Sequence, residues 1–359
     1  MGPSPRITRA KSATGREGIS MSLDLNTVWF LLVGALLAGY AVLDGFDLGV
    51  GALHLFARTD EQRRVFLNAI GPVWDGNEVW LVTGGGALFA AFPVVYATVF
   101  SGFYVPMILL LVGLIFRAVA IEFRSKQPGA RWRRSWDCSF AIASVVSSLL
   151  MGIAFGNVIW GISIDATGEF AGSFAALLNP YALLTGVTTV ALFMMHGSIY
   201  LVLKTEGDTQ EMVKGWVSNT IILFLICYAT TTMATIIFRP EMTAAIKASP
   251  VLFALPVMTM LAIANVPRAI HHQRFGEAFV SSSCAVLGLF GLVGVGMFPA
   301  LVHAWEPARH LTIYNASSSP KTLWIMLIMA LIAIPLVATY TLSVYWIFRG
   351  KVKLDSTSY

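Results

Sequence analysis

Four carboxylates stand close together in a chain that is otherwise poor in charge. Asp44 and Asp47 lie in the segment LDGFDLG, and Asp75 and Glu78 lie in GPVWDGNEVW. A spacing of three puts both members of each pair on one helix face. The connection between the two segments is short. It makes the two helices antiparallel neighbours, with four carboxyls near one end of the pair. An ionisable group inside an apolar span is expensive and marks a function by default. Crowded carboxyls at low dielectric can exchange protons near neutral pH, which is the chemistry of a proton-uptake or ion-coupling site. The competing reading is that they cap helix ends and pair with Arg58, Arg63 and Arg64. Spacing alone leaves both readings open.

His196, within MMHGS, is the solitary histidine in the middle of an apolar run. Haem ligation, metal binding and proton relay all use such a histidine, and haem chemistry also uses Met, which Met194 and Met195 supply next to it. A b-type haem needs a second suitably placed axial ligand. His54 follows the first apolar run near its boundary, His271 and His272 share one connection, and His303 and His310 share another. The expectation is a histidine hydrogen-bonded to a neighbouring helix, with no haem ligand in this chain. No His, Cys or carboxylate grouping has metal spacing, and there is no nucleophile elbow or HExxH motif. Cys138, Cys227 and Cys284 sit singly in apolar segments without a CxxC pair, and they read as packing residues.

The elements that must position these groups are membrane helices. Of 359 residues, 57% are hydrophobic and 12% charged, and the mean hydropathy is +0.73. An ordinary soluble domain is about 45–50% apolar and about 25% charged. The composition excludes a disordered chain, a nucleic-acid binder and a typical cytosolic enzyme. A membrane helix takes about 20 apolar residues. Nine runs qualify: 27–47, 74–96, 99–121, 137–161, 181–203, 216–238, 250–267, 275–302 and 323–348. The seventh is the weakest, being short and carrying Pro250, Pro256 and Pro267. Trp74, Trp80, Trp136, Trp160, Trp216, Trp305 and Trp324 fall near run ends, as interfacial anchors do.

Basic residues fix the expected orientation. Starting after the first run, alternate connections and the tail hold sixteen Lys and Arg, six of them between runs three and four if Arg117 is included; the other connections hold four. The basic side is cytoplasmic, which puts the N-terminus outside and the C-terminus inside. Residues 1–20, with Arg6, Arg9, Lys11 and Arg16, oppose that rule. They are polar, carry no secretory signal, and precede Met21, which opens MSLDLNTVWF. They are expected to be a disordered N-terminal extension, with residues 21–353 forming one membrane domain and 354–359 a C-terminal tail. Segment 31–47 aligns without gaps on 183–199, matching Leu31, Leu32, Gly34 and Gly45 to Leu183, Leu184, Gly186 and Gly197. The match fits two four-helix units, about 25–161 and 181–302, plus a ninth helix at 323–348. Gly84, Gly85 and Gly86, and the glycines at 288, 291, 294 and 296, mark expected close helix contacts. No strand precedes them and no GK[ST] follows, so they do not read as a phosphate loop.

Several segments resemble subunit II of the cytochrome bd-type quinol oxidases. They are GYAVLDGFDLGVGAL (39–53), GPVWDGNEVWLVTGGGALFAAFP (71–93), FSGFY (100–104), FRSK (123–126), RWRRSWD (131–137), AFGN (154–157) and LLNPYALLTG (177–186). The resemblance runs from about Met21 to Lys353, including the cyanide-insensitive branch of the family. It implies an all-α polytopic membrane protein with nine transmembrane helices, arranged as two four-helix bundles and one peripheral helix. It implies a complex in the bacterial-type cytoplasmic membrane that oxidises quinol, reduces oxygen to water with cytoplasmic protons, and so contributes to the proton gradient. The implied partner is subunit I, which carries haem b and haem d and the quinol-oxidising loop. Some members add a small accessory subunit, and some hold a structural quinone in subunit II. By the same resemblance Asp75 belongs to a cytoplasmic proton path and Trp80 lies near an oxygen access route. Glu78 stands where some relatives have Gln.

A proton-coupled secondary transporter is the alternative, since repeats and intramembrane carboxyls suit transporters in general. Against it, the charges gather at one membrane face instead of the midplane. The orientation can be checked with single cysteines at Ala130 and Thr167 in intact cells treated with an impermeant thiol reagent. Labelling is expected at 167 and not at 130; the reverse pattern would invert the topology.

Overall fold

The computed structural model describes residues 24–354. The extension expected over 1–20, and the tail beyond 354, lie outside the described residues. The chain folds as α1 (Leu25–Leu53), α2 (Asp60–Ile70), α3 (Trp74–Ala91), α4 (Pro93–Gly102), α5 (Tyr104–Phe123), α6 (Ala130–Trp160), α7 (Pro180–Lys204), α8 (Gly207–Phe238), α9 (Ala244–Ala248), α10 (Ala254–His271), α11 (Phe275–Met297) and α12 (Pro320–Ile347). A two-stranded antiparallel ribbon, β1 (Ala300–Val302) and β2 (Leu311–Thr312), lies between α11 and α12. The fold is all-α and built around membrane-spanning helices.

Seven helical segments among the described residues are long and apolar enough to cross a membrane. They correspond to seven of the nine expected runs. The other two runs, 74–96 and 250–267, became α3 and α10, each of 18 residues. The first opens with WDGNE, and the second carries Asn265, Arg268 and His271, so neither offers a stretch as apolar as those seven. Run 74–96 also ends early. Pro93 lacks an amide hydrogen and starts a new helix at its first position, so the chain breaks at Phe92 and continues as α4. Several helices outrun their apolar stretch at the end that carries the basic connections. There α1 reaches Leu53, α6 begins at Ala130 and α8 at Gly207. Composition sees only the lipid-facing part of a helix, while hydrogen bonding carries the helix on into the polar zone. Helix α2 was not expected. A reciprocal cap between Thr59 and Gln62 starts it, and Phe66, Leu67, Ala69 and Ile70 bury its apolar face.

At the centre, α1 packs against α3, α6, α7 and α11, and α7 packs against α6, α8 and α11. Helix α5 lies on α6 and α10 on α11. The α1–α7 contact is backbone to backbone. A Cβ on Gly49 would lie 1.8 Å from the Phe193 carbonyl oxygen, and one on Gly197 would lie 2.5 Å from the Gly49 carbonyl carbon. The glycine run in α3 behaves differently from expectation. Gly84 meets Leu37, but Gly85 and Gly86 face open space. Helix α12 packs mainly on α1 and α3 and is largely exposed.

The α1–α7 crossing yields a direct test. Gly197→Val drives a side chain into the α1 backbone and is expected to cost more than about 3 kcal/mol. Gly215→Ala, where nothing stands within 4 Å of the added carbon, should be neutral. Thermal unfolding followed by size-exclusion fluorescence separates the two; equal melting curves would show that the crossing does not constrain the fold.

Candidate functional site

Asp44 and Asp47 lie one turn apart in α1, and both are fully buried. They cap nothing, because α1 runs on to Leu53 and its start is capped by Asp24. Asp44 is paired with Arg117 of α5, a residue that the sequence places at the edge of a basic connection. The structure puts Arg117 inside the bundle, 1% exposed. Its Nη1 donates to Asp44 Oδ2 at 2.9 Å and its Nη2 to Asp44 Oδ1 at 2.6 Å. This fork-to-fork geometry is the strongest form of such a pair. The same Nη2 stands 3.5 Å from Glu78 Oε2 of α3. The cation paired with Asp44 and Glu78 is therefore Arg117, which the capping reading did not include. Removing Arg117 from the basic connections leaves the charge asymmetry intact.

Asp47 is held differently. Its Oδ2 accepts from Asn77 Nδ2 at 2.8 Å, while its Oδ1 is buried without a donor. The second Asn77 amide hydrogen goes to the Leu43 carbonyl at 3.1 Å, and the Asn77 oxygen accepts from the Tyr345 hydroxyl of α12 at 2.9 Å. Asp44 and Glu78 thus share one guanidinium, with Asp47 one turn further along α1 and held by Asn77. Asp75 does not join them. It is exposed in the first turn of α3, one turn before Glu78 on the same helix face, where the helix N-terminus favours an anion. Trp80, two residues beyond Glu78, lays its ring against α1 at Gly39, where an added Cβ would come within 2.7 Å.

A second buried ionic group gathers on Asp137 of α6. His54 Nε2 lies 2.6 Å from Asp137 Oδ1, Arg124 Nε donates to the same oxygen at 2.5 Å, and Arg63 Nη1 donates to Oδ2 at 3.2 Å. Arg124 also reaches Asp60 at 2.6 Å, which pairs with Arg133 at 3.0 Å. Sequence reasoning missed this group because its members come from four separate segments. It also missed Arg117, although one cue was present: a cation inside the apolar stretch LIFRAVAI needs a buried carboxylate.

His196 is buried, with both ring nitrogens engaged. Nε2 donates to the Val42 carbonyl of α1 at 3.0 Å, and Nδ1 lies 2.8 Å from Ser282 Oγ of α11. The carbonyl can only accept, so Nε2 carries a proton, and the Ser282 hydroxyl stands between Nδ1 and, at 2.9 Å, the Phe279 carbonyl. Its ring stacks on Phe279 at 5.1 Å. Among the described residues, no group of three or more His, Cys, Asp and Glu could hold a metal ion. His303 and His310, outside the spanning helices, lie with ring centroids 4.9 Å apart. Burial pushes both imidazoles below their ordinary range.

A sequence model of cytochrome bd terminal oxidase subunit II matches residues 25–348. The chain belongs to that family. Cytochrome bd-I ubiquinol oxidase subunit 2 of Escherichia coli K12 is 36% identical over 360 residues, covering 91% of this chain and 95% of the relative. Cytochrome bd ubiquinol oxidase subunit 2 of Bacillus subtilis is 33% identical over 332 residues, covering 92% and 97%. The solved bd oxidase of Geobacillus thermodenitrificans shares the fold, with a TM-score of 0.75 at 17% identity over 90% of this chain and 98% of the other. The chain is thus subunit II of a cytochrome bd-type terminal oxidase, a multi-pass membrane protein of bacterial type and a member of the respiratory chain. A subunit I partner and haem in the complex follow from the family. The transporter reading has no support.

The ion pair gives a stability test. Arg117→Ala leaves Asp44 buried beside no cation and is expected to cost about 3–5 kcal/mol. Replacing both partners, Arg117→Met with Asp44→Leu, should recover most of that loss. A double variant no more stable than Arg117→Ala in thermal unfolding would show that burial of the pair is not what holds α1 to α5.

Proposed function

We propose that this subunit delivers cytoplasmic protons to the oxygen-reducing centre of a quinol oxidase, through Asp75, Glu78, Asp47 and Asp44. In the full reaction two quinols supply four electrons, and one oxygen molecule takes them with four protons to give two waters. The observation that carries the reading is the imbalance of the group, with Asp44 and Glu78 sharing one guanidinium and the buried Asp47 beside them given only an amide donor. Asp44 has both oxygens committed to Arg117. Asp47 keeps one oxygen free of donors, and Glu78 is partly exposed. Those two are the exchangeable positions. Asp75, exposed where α3 begins, is the mouth.

The face around Asp75 also supports a docked subunit I. An aspartate, two open glycines (Gly85 and Gly86) and the exposed Val79, Val82 and Phe89 share α3. Lipid covers charge and bare backbone poorly, whereas a second protein can approach glycines closely. Trp80, on the same helix, is assigned to the oxygen access route. Haem b and haem d are assigned to subunit I. Family membership makes haem an implied group of the complex, and this chain's mid-span imidazole does not fit as its ligand, because both nitrogens of His196 are used within the fold. No step is assigned to haem on this chain. A structural quinone in this subunit, a small accessory subunit and bound lipid complete the assembly.

The helix pairings support the architecture read from the repeat. In the first half α1 meets α3 and α6, and α5 meets α6; in the second, α7 meets α8 and α11, and α10 meets α11. We read these as two four-helix bundles, with α3 continued by α4 and α10 completing nine spans and α12 as the peripheral ninth helix. Residues 21–353 form one membrane domain, with the basic end cytoplasmic, the N-terminus outside and the C-terminus inside.

Asp75→Asn keeps the shape but cannot exchange a proton at neutral pH. Quinol-driven oxygen uptake per haem is expected to fall about tenfold, equivalent to about 1.4 kcal/mol on the limiting barrier, while haem content holds. Asp75→Glu should recover part of the rate. Equal uptake for wild type, Asn and Glu forms from pH 6 to 9 would remove Asp75 from the path.

A further inference from the structure

Helix α12 makes few contacts, yet one of its side chains enters the site. Tyr345 reaches inward from an otherwise exposed helix and donates to the Asn77 oxygen at 2.9 Å. Asn77 is 1% exposed. Both its amide hydrogens are spent, one on Asp47 and one on the Leu43 carbonyl. We propose that Tyr345 is a positioning residue of this site, its hydroxyl holding the Asn77 amide in the one orientation that donates to Asp47.

The chemistry of the amide explains why a holder is needed. Turned by half a revolution, Asn77 would face the Asp47 carboxylate and the Leu43 carbonyl with its oxygen, and two acceptor pairs would oppose one another. Tyr345 reinforces the productive orientation by supplying a donor where the amide oxygen must lie. With phenylalanine at this position the oxygen loses its donor and the amide is held from one side only. Asp47 then loses a fixed hydrogen bond, and its exchange with neighbouring groups changes. Those groups are Asp44 on its own helix, Glu78 from α3, Arg117 from α5, Tyr200 from α7 and Tyr345 itself from α12. The chain Tyr345–Asn77–Asp47 thereby makes the peripheral helix part of the working site. No local signal marks this link, since 268 positions separate Tyr345 from Asn77.

The inference rests on the reading of Asp47 as a proton-exchanging group, so the experiment tests the two separately. The assembled oxidase is purified as wild type, Asp47→Asn, Tyr345→Phe and the double variant. Oxygen uptake per haem is measured with a short-chain quinol from pH 6 to 9. Asp47→Asn should slow turnover; unchanged turnover in that variant would sink the reading of Asp47. Tyr345→Phe should slow it by about threefold to tenfold and displace the pH profile by about half a unit or more. The double variant should be no slower than Asp47→Asn alone, because the hydroxyl acts only through that carboxylate. A slow Asp47→Asn beside a Tyr345→Phe with wild-type rate and profile would overturn the positioning role alone. So would additive losses in the double variant, or failure of Tyr345→Phe to assemble, which would make the hydroxyl a structural element.

Discussion

A guanidinium and a carboxylate, both fully out of water, face each other between α1 and α5. Neither Arg117 nor Asp44 could be buried alone, since the desolvation of a lone ion costs more than an apolar bundle recovers. Paired through two parallel hydrogen bonds, they fix how α1 and α5 lie. Sliding either helix by one residue turns its side chains by about 100° and takes the charge away from its partner. Helix α3 is then placed by what remains: Glu78 comes to the free side of Arg117, and Asn77 spans the gap to Asp47 and the α1 backbone.

The two buried ionic groups have opposite balances, and this separates their roles. At Asp137 one carboxylate receives His54, Arg63 and Arg124, so its oxygens are saturated by donors. That group ties α1, α2 and α6 to the connection after α5 and has no spare acceptor. At Arg117 the ratio is reversed, with Asp44 and Glu78 on one cation and Asp47 beside them on an amide. Under the proposed function, that difference assigns proton exchange to the second group and leaves the first as a fastening.

The centre of the molecule shows a similar division between rigid and open parts. Gly49 and Gly197 bring α1 and α7 into backbone contact, so the helix that carries Asp44 and Asp47 is held from behind. The His196 imidazole bridges α1 to α11 on the same side. In front, α3 and α12 are lightly packed and present Asp75, Gly85 and Gly86 outward. The fixed carboxylates thus sit between a rigid wall and a face suited to a second subunit.

Composition and the length of the apolar runs by themselves determined that this is a polytopic helical membrane protein, and seven of the nine runs located helices able to span a membrane within several residues. Hydropathy is a local sum, and a lipid-facing helix has to satisfy it locally. The motif around Asp75 and the pair Asp44–Asp47 were legible for a related reason: a charge beside an apolar run stands out in any window. Tertiary structure decided which of those charges meet. It separated Asp75 from the other three, supplied Arg117 as the cation of Asp44 and Glu78, and brought Tyr345 from the far end of the chain. Each of these depends on the angle and depth at which helices cross, and those are set by packing between segments distant in sequence, which no single window contains.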